Sequence, residues 1–100
     1  MSSSRVKAPV APRAVSVECT DTVFTVVLAD GRSISIPLDW YPRLAHGRPD
    51  ERMNWEIIGD GDGIHWPALD EDIGVEGLLE GLRSAESPAS FERWLAARSR

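Results

Sequence analysis

The stretch AVSVECTDTVFTVVLADGRSISI, residues 14–36, decides the fold of this chain. Residues 14–20 alternate apolar and polar side chains, which predicts a half-buried β-strand. Residues 23–29 are rich in β-branched side chains and are apolar on both faces, which is typical of a central strand. Residues 32–36 predict a third strand, and Pro37 ends it because proline cannot donate to the ladder. The stretch therefore predicts an antiparallel three-stranded meander.

Two hairpins are predicted from turn signals. Asp30-Gly31 joins the second and third strands and favours a type I′ turn, which needs positive φ at both central positions. Further along the chain, residues 55–58 and 64–66 predict two more short strands, since both runs are apolar and bounded by turn residues. The glycine-rich run of residues 59–63 between them favours a second hairpin.

Four segments predict helices or turns. Asp39 can cap a short helix that ends near His46. Pro49 can open another short helix, in which we expect Met53 to face the core. Residues 69–72 predict an acidic turn, which leads into a helix over residues 73–82 because apolar side chains recur there at helical spacing.

The last predicted element is an amphipathic helix over residues 87–98. Ser87 is a good N-cap and Pro88 suits the first helical position. The helix carries an apolar stripe of Phe91, Trp94 and Leu95. This stripe either packs on the protein's own sheet or binds a groove of a partner.

The chain is therefore predicted to be one α+β domain, since 100 residues fit one domain and leave no room for a second. We expect an antiparallel sheet of about five short strands, a meander plus a hairpin, packed with short helices and a C-terminal amphipathic helix. The predicted organisation is a flexible N-terminal tail over residues 1–13, the α+β domain over residues 14–82 and a C-terminal helix extension over residues 83–100.

The cysteine content and hydropathy favour a cytoplasmic location. Cys19 is the single cysteine, so an intramolecular disulfide is excluded. It is either a buried, inert thiol or a reactive one. No apolar run approaches the length of a membrane span, and residues 1–14 lack the apolar core of a signal peptide.

The net charge of −5 is concentrated in the middle of the chain. Residues 49–82 carry ten acidic side chains and one basic one, a net charge of −9. Such a surface repels nucleic-acid backbones, so we expect no direct nucleic-acid binding. The acidic segment is either a solvated face that keeps the protein dispersed or the binding surface for a basic protein.

Three kinds of chemistry find no motif. The DGDG run at residues 60–63 does not match a calcium loop, because the positions that need acidic ligands and glycine hold Ile64 and His65. No phosphate-binding loop is present, and no G-x-S-x-G nucleophile motif occurs. We therefore expect no cofactor and no catalytic residue. The alternative is a metal-dependent hydrolase that uses an acidic and histidine cluster, formed by Glu51, Glu56, His65 and Asp70.

The candidate interaction surface combines an aromatic–arginine cluster with the acidic segment. Trp, Tyr and Arg are frequent anchors of protein interfaces, although the two aromatic rings alternatively belong to the core. The candidate residues are Trp40, Tyr41, Arg43, Asp60, Asp62, His65, Asp70, Glu71 and Asp72.

Two stretches of the sequence resemble the domain-of-unknown-function family 2442. The first is DGR-x-I-x-I-P-L-D-W-Y-P-R-L, residues 30–44. The second is ER-x-NWE-x-IG-x-G-x-GIHWP-x-LDEDI-x-VEGLL, residues 51–79. Gly74 stands where the family pattern has serine. The resemblance implies a small bacterial protein with an antiparallel sheet and packed helices, encoded beside another small protein in an arrangement suggestive of toxin–antitoxin pairs. It implies no catalytic residue.

The leading functional hypothesis is a non-enzymatic interaction module, such as the antitoxin-like partner of a small basic protein encoded by a neighbouring gene. Besides the metal-dependent hydrolase, a further alternative is an acidic decoy that regulates a nucleic-acid-binding protein. A homodimer is also an open alternative.

Overall fold

The computed structural model describes residues 11–99. An antiparallel sheet, ordered β1-β2-β3, forms the first half of the domain. Its strands are β1 (Ala14–Cys19), β2 (Val23–Leu28) and β3 (Ser33–Pro37). The predicted meander is therefore confirmed, with β2 in the centre. Phe24, Val26 and Leu28 alternate along β2 and are all buried, as the period of two requires.

A second antiparallel sheet, ordered β4-β5-β6, replaces the predicted single sheet of about five strands. Its strands are β4 (Glu56–Ile58), β5 (Gly63–Trp66) and β6 (Glu71–Gly74). The predicted α+β class is confirmed, whereas the single sheet is not. β6 was missed because residues 69–72 were assigned to a turn and residues 73–82 to a helix, of which α3 covers only the middle. The sequence of β6 is too short and acidic to show strand alternation, and it forms a strand because β5 offers it a ladder.

Within residues 11–99, four short helices lie between the strands along the chain, and a fifth, α3, follows β6. They are two 3₁₀ helices (Leu38–Trp40 and Pro67–Leu69), α1 (Pro42–His46), α2 (Pro49–Met53) and α3 (Val75–Leu79). The predicted helix start at Asp39 was wrong, because Pro42 disfavours helical geometry at the preceding Tyr41, whose φ of −132° is extended. Met53 was also wrongly placed in the core: it is 72 % exposed, and α2 buries Glu51 and Arg52 instead.

Two glycines fix the turns. Gly31 has a φ of +95°, whereas no positive φ occurs at Asp30, so the predicted type I′ turn is wrong. The Gly31 N–H instead donates to the Leu28 carbonyl, and the chain closes a three-residue loop. Gly61, with a φ of +99°, lies against β1, and the Ala14 N–H donates to its carbonyl over 2.9 Å. This bond joins the glycine-rich turn of the second sheet to the first sheet.

The core fills the space between the two sheets. Phe24 of β2 packs edge-on against both Tyr41 and Trp66, with ring centroids 5.9 and 5.8 Å apart. The Trp66 indole N–H donates to the Arg52 carbonyl over 3.0 Å, which satisfies its one polar group. The core thus unites both sheets and α1.

The C-terminal helix α4 (Pro88–Arg98) packs on its own chain. Ser87 accepts a hydrogen bond from the Ser90 N–H and Pro88 is the first helical residue, as predicted. Trp94 packs against the core, and Arg98 pairs with Glu51 at 2.7 Å. Trp94 of the apolar stripe therefore packs on the protein's own core. The predicted tail falls mostly on residues 1–10, which lie outside the described part.

No helix among the described residues is long and apolar enough to cross a membrane.

Candidate functional site

The two faces of the second sheet differ in chemistry. Side chains directly opposite each other on paired strands share a face. Ile57, Ile64 and Ile73 are paired across the three strands and point toward the core, where Ile64 and Ile73 are buried. The next row, Glu56, His65 and Asp72, therefore lies on the outer face.

This outer row forms an acidic face, by which we mean Glu56, Asp62, His65 and Asp72. The His65 Nδ1 lies 2.5 Å from an Asp72 carboxylate oxygen, and 70 % of the Asp72 side chain is exposed. Beside them lies a shallow depression of about 300 Å³, bordered by Asp62, Asp72 and the half-exposed Ile58. The acidic face is thus open and carries three carboxylates against one imidazole.

A larger concave site runs along the other side of β6. This β6 groove has a volume of about 480 Å³, within the range of ligand pockets. One wall is β6 with the preceding Asp70, and the opposite wall is the segment of residues 82–86, which forms neither helix nor strand. Tyr41, Arg43, Gly77 and Ser90 complete the lining.

Arg43 holds this groove together. Its Nε lies 2.9 and 3.0 Å from the two carboxylate oxygens of Glu86, and both side chains are largely buried. A further guanidinium nitrogen donates to the Asp70 carbonyl over 3.0 Å. The hydrogen-bonded guanidinium lowers the pKa of Glu86, and the carboxylate raises the pKa of Arg43. The pair is therefore charged and ties α1 to the segment before α4.

Glu71 is the unusual acid of the groove. It lies opposite Trp66 in the ladder, on the core-facing side of the sheet, and is half-buried. Burial raises its pKa from 4.5 to about 7, although the nearby Arg43 charge lowers it in part. Perturbed carboxyl groups in a concave site often mark function, and so Glu71 is the chemically most distinctive group here.

The two aromatic candidates are placed differently. Tyr41 is only 6 % exposed, so its ring belongs to the core, and its hydroxyl donates to the Leu82 carbonyl over 2.8 Å. Trp40 is half-buried against the core, and the Arg83 guanidinium lies 4.4 Å from its ring centroid. The core alternative therefore fits the ring of Tyr41, which packs edge-on against Phe24.

The structure brings most of the predicted surface residues together. Five of them line the β6 groove, namely Tyr41, Arg43, Asp70, Glu71 and Asp72. Asp62 and His65 lie on the acidic face, which shares Asp72 with the groove. Asp60 is exposed on the glycine-rich turn, and Trp40 does not line the groove. The groove and the acidic face thus meet at Asp72.

Sequence reasoning missed Glu86, Arg83 and Ser90, which come from the C-terminal segment. Ser90 donates to the Glu86 carboxylate over 2.8 Å and lies in the first turn of α4. The cap at Ser87 was recognisable in the sequence, but no pattern connects Glu86 with a guanidinium so distant along the chain. The pairing follows only from the folded position of α4.

The four residues of the metal-dependent alternative do not come together as one cluster. Glu51 is buried in its pair with Arg98, which together with Arg48 lowers the pKa of Glu51 to about 2. Glu56 and His65 lie on the acidic face, whereas Asp70 follows a 3₁₀ helix. Within residues 11–99, no three His, Cys, Asp or Glu side chains come together in a way that could hold a metal ion.

Cys19 is half-buried and has a raised pKa because burial disfavours the thiolate. Its thiol donates to the Arg52 carbonyl at 3.4 Å. These surroundings fit the inert alternative for this cysteine.

Comparison with known proteins identifies the family. A family model described as "protein of unknown function (DUF2442)" matches residues 14–84. The chain belongs to the DUF2442 family. This match covers both sheets and α3, and it ends at residue 84, within the segment that walls the β6 groove and before α4.

Two solved structures share the fold of this DUF2442 protein. A protein of unknown function from Rhodospirillum rubrum is 28 % identical, with a TM-score of 0.66 over 75 % of this chain and 93 % of that one. An uncharacterised protein from Chromobacterium violaceum is 26 % identical, with a TM-score of 0.65 over 86 % of this chain and 75 % of that one. No curated protein matches the sequence. The family model establishes the family and the two structures support the fold, and none of them names an activity.

Proposed function

We propose that this DUF2442 protein is a non-enzymatic interaction module that binds a small basic protein through its acidic face. The observation that carries the proposal is the open row of Glu56, His65 and Asp72 on the second sheet, with Asp62 beside it. The opposite face of the same sheet is closed by the core. Among residues 11–99, the only salt-bridge partner of a carboxylate on the acidic face is His65.

Electrostatic complementarity supports a basic partner. Carboxylates that are exposed on one face attract a positively charged surface, accelerate encounter and disfavour acidic partners. The partner that we expect is the small protein encoded beside this gene, in line with the gene arrangement that the family resemblance implies. An antitoxin-like role follows if binding masks a harmful activity of that partner. The unpaired Cys19 and the acidic character are compatible with a bacterial cytoplasm.

The test is direct binding between the full chain and the purified product of the neighbouring gene, measured by titration calorimetry at two salt concentrations. We expect micromolar or tighter binding that weakens as salt rises. The double variant Asp62→Lys/Asp72→Lys is expected to weaken it at least tenfold. The matched control is Glu18→Lys/Asp39→Lys, which changes the charge by the same amount at exposed positions outside the acidic face.

Absence of binding at micromolar concentration would overturn the proposal. Equal loss of affinity in the two double variants would also contradict it, because binding would then follow net charge rather than this face. Sedimentation of the free chain tests whether the acidic face is instead buried in a homodimer. If the acidic face is buried in a homodimer, Asp62→Lys/Asp72→Lys dissociates the dimer and the assignment to a basic partner fails.

A further inference from the structure

The outer edge of β6 carries unpaired backbone groups. β6 is an edge strand, and its ladder with β5 continues by one residue because the Val75 N–H donates to the Asp62 carbonyl over 2.9 Å. Hydrogen-bonded and non-hydrogen-bonded pairs alternate along an antiparallel ladder. Gly74 and Asp72 therefore belong to non-hydrogen-bonded pairs, and their N–H and C=O groups point away from β5.

These groups face the β6 groove. Of the described residues, no other strand or loop hydrogen-bonds the backbone of β6 from this side, and the Arg43 guanidinium bonds only as far as the Asp70 carbonyl, before the strand begins. The Asp72 N–H lies near the Glu71 carboxylate and lowers its pKa in part. Gly74 is the N-cap of α3, and an N-cap carbonyl accepts the first hydrogen bond of its helix. The Asp72 C=O and the Gly74 N–H are thus left for an incoming strand, whereas the Asp72 N–H would first have to leave the Glu71 carboxylate.

We propose that the β6 groove is a strand-addition site, in which an extended basic segment of the partner pairs with the outer edge of β6. This inference rests on the proposed function, because it specifies how the basic partner binds. An uncovered sheet edge is a template for another strand, and strand addition combines backbone hydrogen bonds with side-chain pockets. The groove alongside β6 provides the space.

The charges of the groove select a basic segment. Its lining holds four carboxylates and two guanidinium groups, and one of these, that of Arg43, is already bound to Glu86. A side chain opposite Asp72 would lie on the outer face, beside the Asp72 carboxylate, so we expect Arg or Lys there. Its neighbours on the added strand would turn toward Tyr41 and Leu82, which favours apolar side chains. The expected segment alternates basic and apolar residues.

The first test removes one edge donor. Gly74→Pro deletes the outward N–H, and its backbone φ of −81° is close to the value that proline adopts. A Cβ at Gly74 meets no atom within 4 Å, so there is space for the first carbon that either substitution adds. Gly74→Ala is the matched control, because it keeps the N–H. The probe is a capped pentapeptide of alternating valine and arginine, and binding is followed by amide NMR shifts of the full chain.

We expect the peptide to bind the parent chain and Gly74→Ala alike, with shifts at the Asp72 and Gly74 amides, and to bind Gly74→Pro about three- to tenfold more weakly. A second peptide, N-methylated at both arginines, keeps the charge and cannot donate from those residues. It should bind weakly to the parent chain, which tests strand addition without any variant that might misfold.

Three outcomes would overturn strand addition. They are equal binding of the N-methylated peptide, equal binding to a folded Gly74→Pro variant, and no peptide binding by a chain that binds the neighbouring protein. In each case the proposed function survives if Asp62→Lys/Asp72→Lys still weakens binding of that protein. If the neighbouring protein fails to bind at all, the proposed function fails independently of the peptide result.

Discussion

Arg43 and Glu86 form a bidentate ion pair, in which Nε lies 2.9 Å from Oε1 and Nη2 lies 2.5 Å from Oε2. The pair joins α1 to the segment leading into α4. Both side chains are largely withdrawn from water, at 15 % and 10 % exposure. Both residues line the β6 groove, and Glu86 immediately precedes the Ser87 cap of α4. The contribution of this pair to stability can be measured separately from that of the second ion pair of α4, between Glu51 and Arg98, by substituting each pair in turn.

Glu86→Gln is expected to destabilise the protein by about 2 kcal/mol, because it leaves a partly buried guanidinium without its charged partner. Chemical denaturation measures the loss. Relative to the parent chain, amide hydrogen exchange in this variant should accelerate more in α4 than in β2. A double-mutant cycle with Arg43→Met gives the coupling between the two groups, and a coupling near zero would show that the pair does not hold α4.

The lowered pKa of Glu51 predicts that the protein loses stability in acid. Its pKa is lowered from 4.5 to about 2, first by the hydrogen bond from Arg98. A lowered carboxyl pKa contributes stability above pH 4.5, and this contribution is lost as the pH falls toward 2. We expect a loss on the order of 2–3 kcal/mol over this window, and Glu51→Gln should abolish most of it. Denaturation curves between pH 2 and 6 provide the measurement, with Glu18→Gln as the exposed control.

The raised pKa of Glu71 predicts that stability falls as the pH rises through neutrality, the opposite direction to the effect of Glu51. The pKa of Glu71 is raised to about 7, so the folded protein binds a proton more tightly than the unfolded chain does. This contribution is complete below pH 4.5 and is lost as the pH rises through 7. After allowance for solvent screening of a half-exposed group, it is on the order of 1 kcal/mol. Glu71→Gln should therefore be more stable than the parent chain at pH 8 and similar at pH 4.5. A parent chain whose stability is flat between pH 5 and 8 would contradict this.

Gly61→Ala is expected to cost about 1–3 kcal/mol. A Cβ at this position would lie 2.8 Å from the Ala14 carbonyl oxygen, and its φ of +99° strains any other residue. Gly31→Ala is an informative comparison, because Gly31 has a similar φ of +95° and no atom within 4 Å of the added Cβ. A greater loss of melting temperature for Gly61→Ala measures the contact with β1. Equal losses would assign the whole cost to the backbone angle.

The first sheet was predictable from the sequence because its strands follow the period of two and its turns carry recognisable residues. β5 was predictable for the same reason: Ile64 and Trp66 are buried on one side of His65, as their alternation indicated. β6 was missed since a strand of four residues with one apolar side chain has no periodic signal. Its structure comes from the ladder that β5 provides.

The candidate site was only partly predictable. The acidic residues near β6 were found by composition, and Arg43 by its place among aromatic residues. The partners that give the groove its geometry were not found, because Glu86 and Arg83 meet Arg43 and Trp40 only after the C-terminal segment folds back. Likewise the raised pKa of Glu71 depends on its lying opposite Trp66, a consequence of register.

The strand orders have a consequence for how the protein folds. Every hydrogen-bonded strand pair in both sheets joins consecutive strands, so each sheet closes only short loops and its contacts are local in sequence. Local contacts favour fast folding, because little loop entropy is lost before they form. The bond from Ala14 to Gly61 and the ion pairs of α4 span much longer separations. We therefore expect two small sheets to form early, and their docking and the arrival of α4 to be the late, rate-determining events.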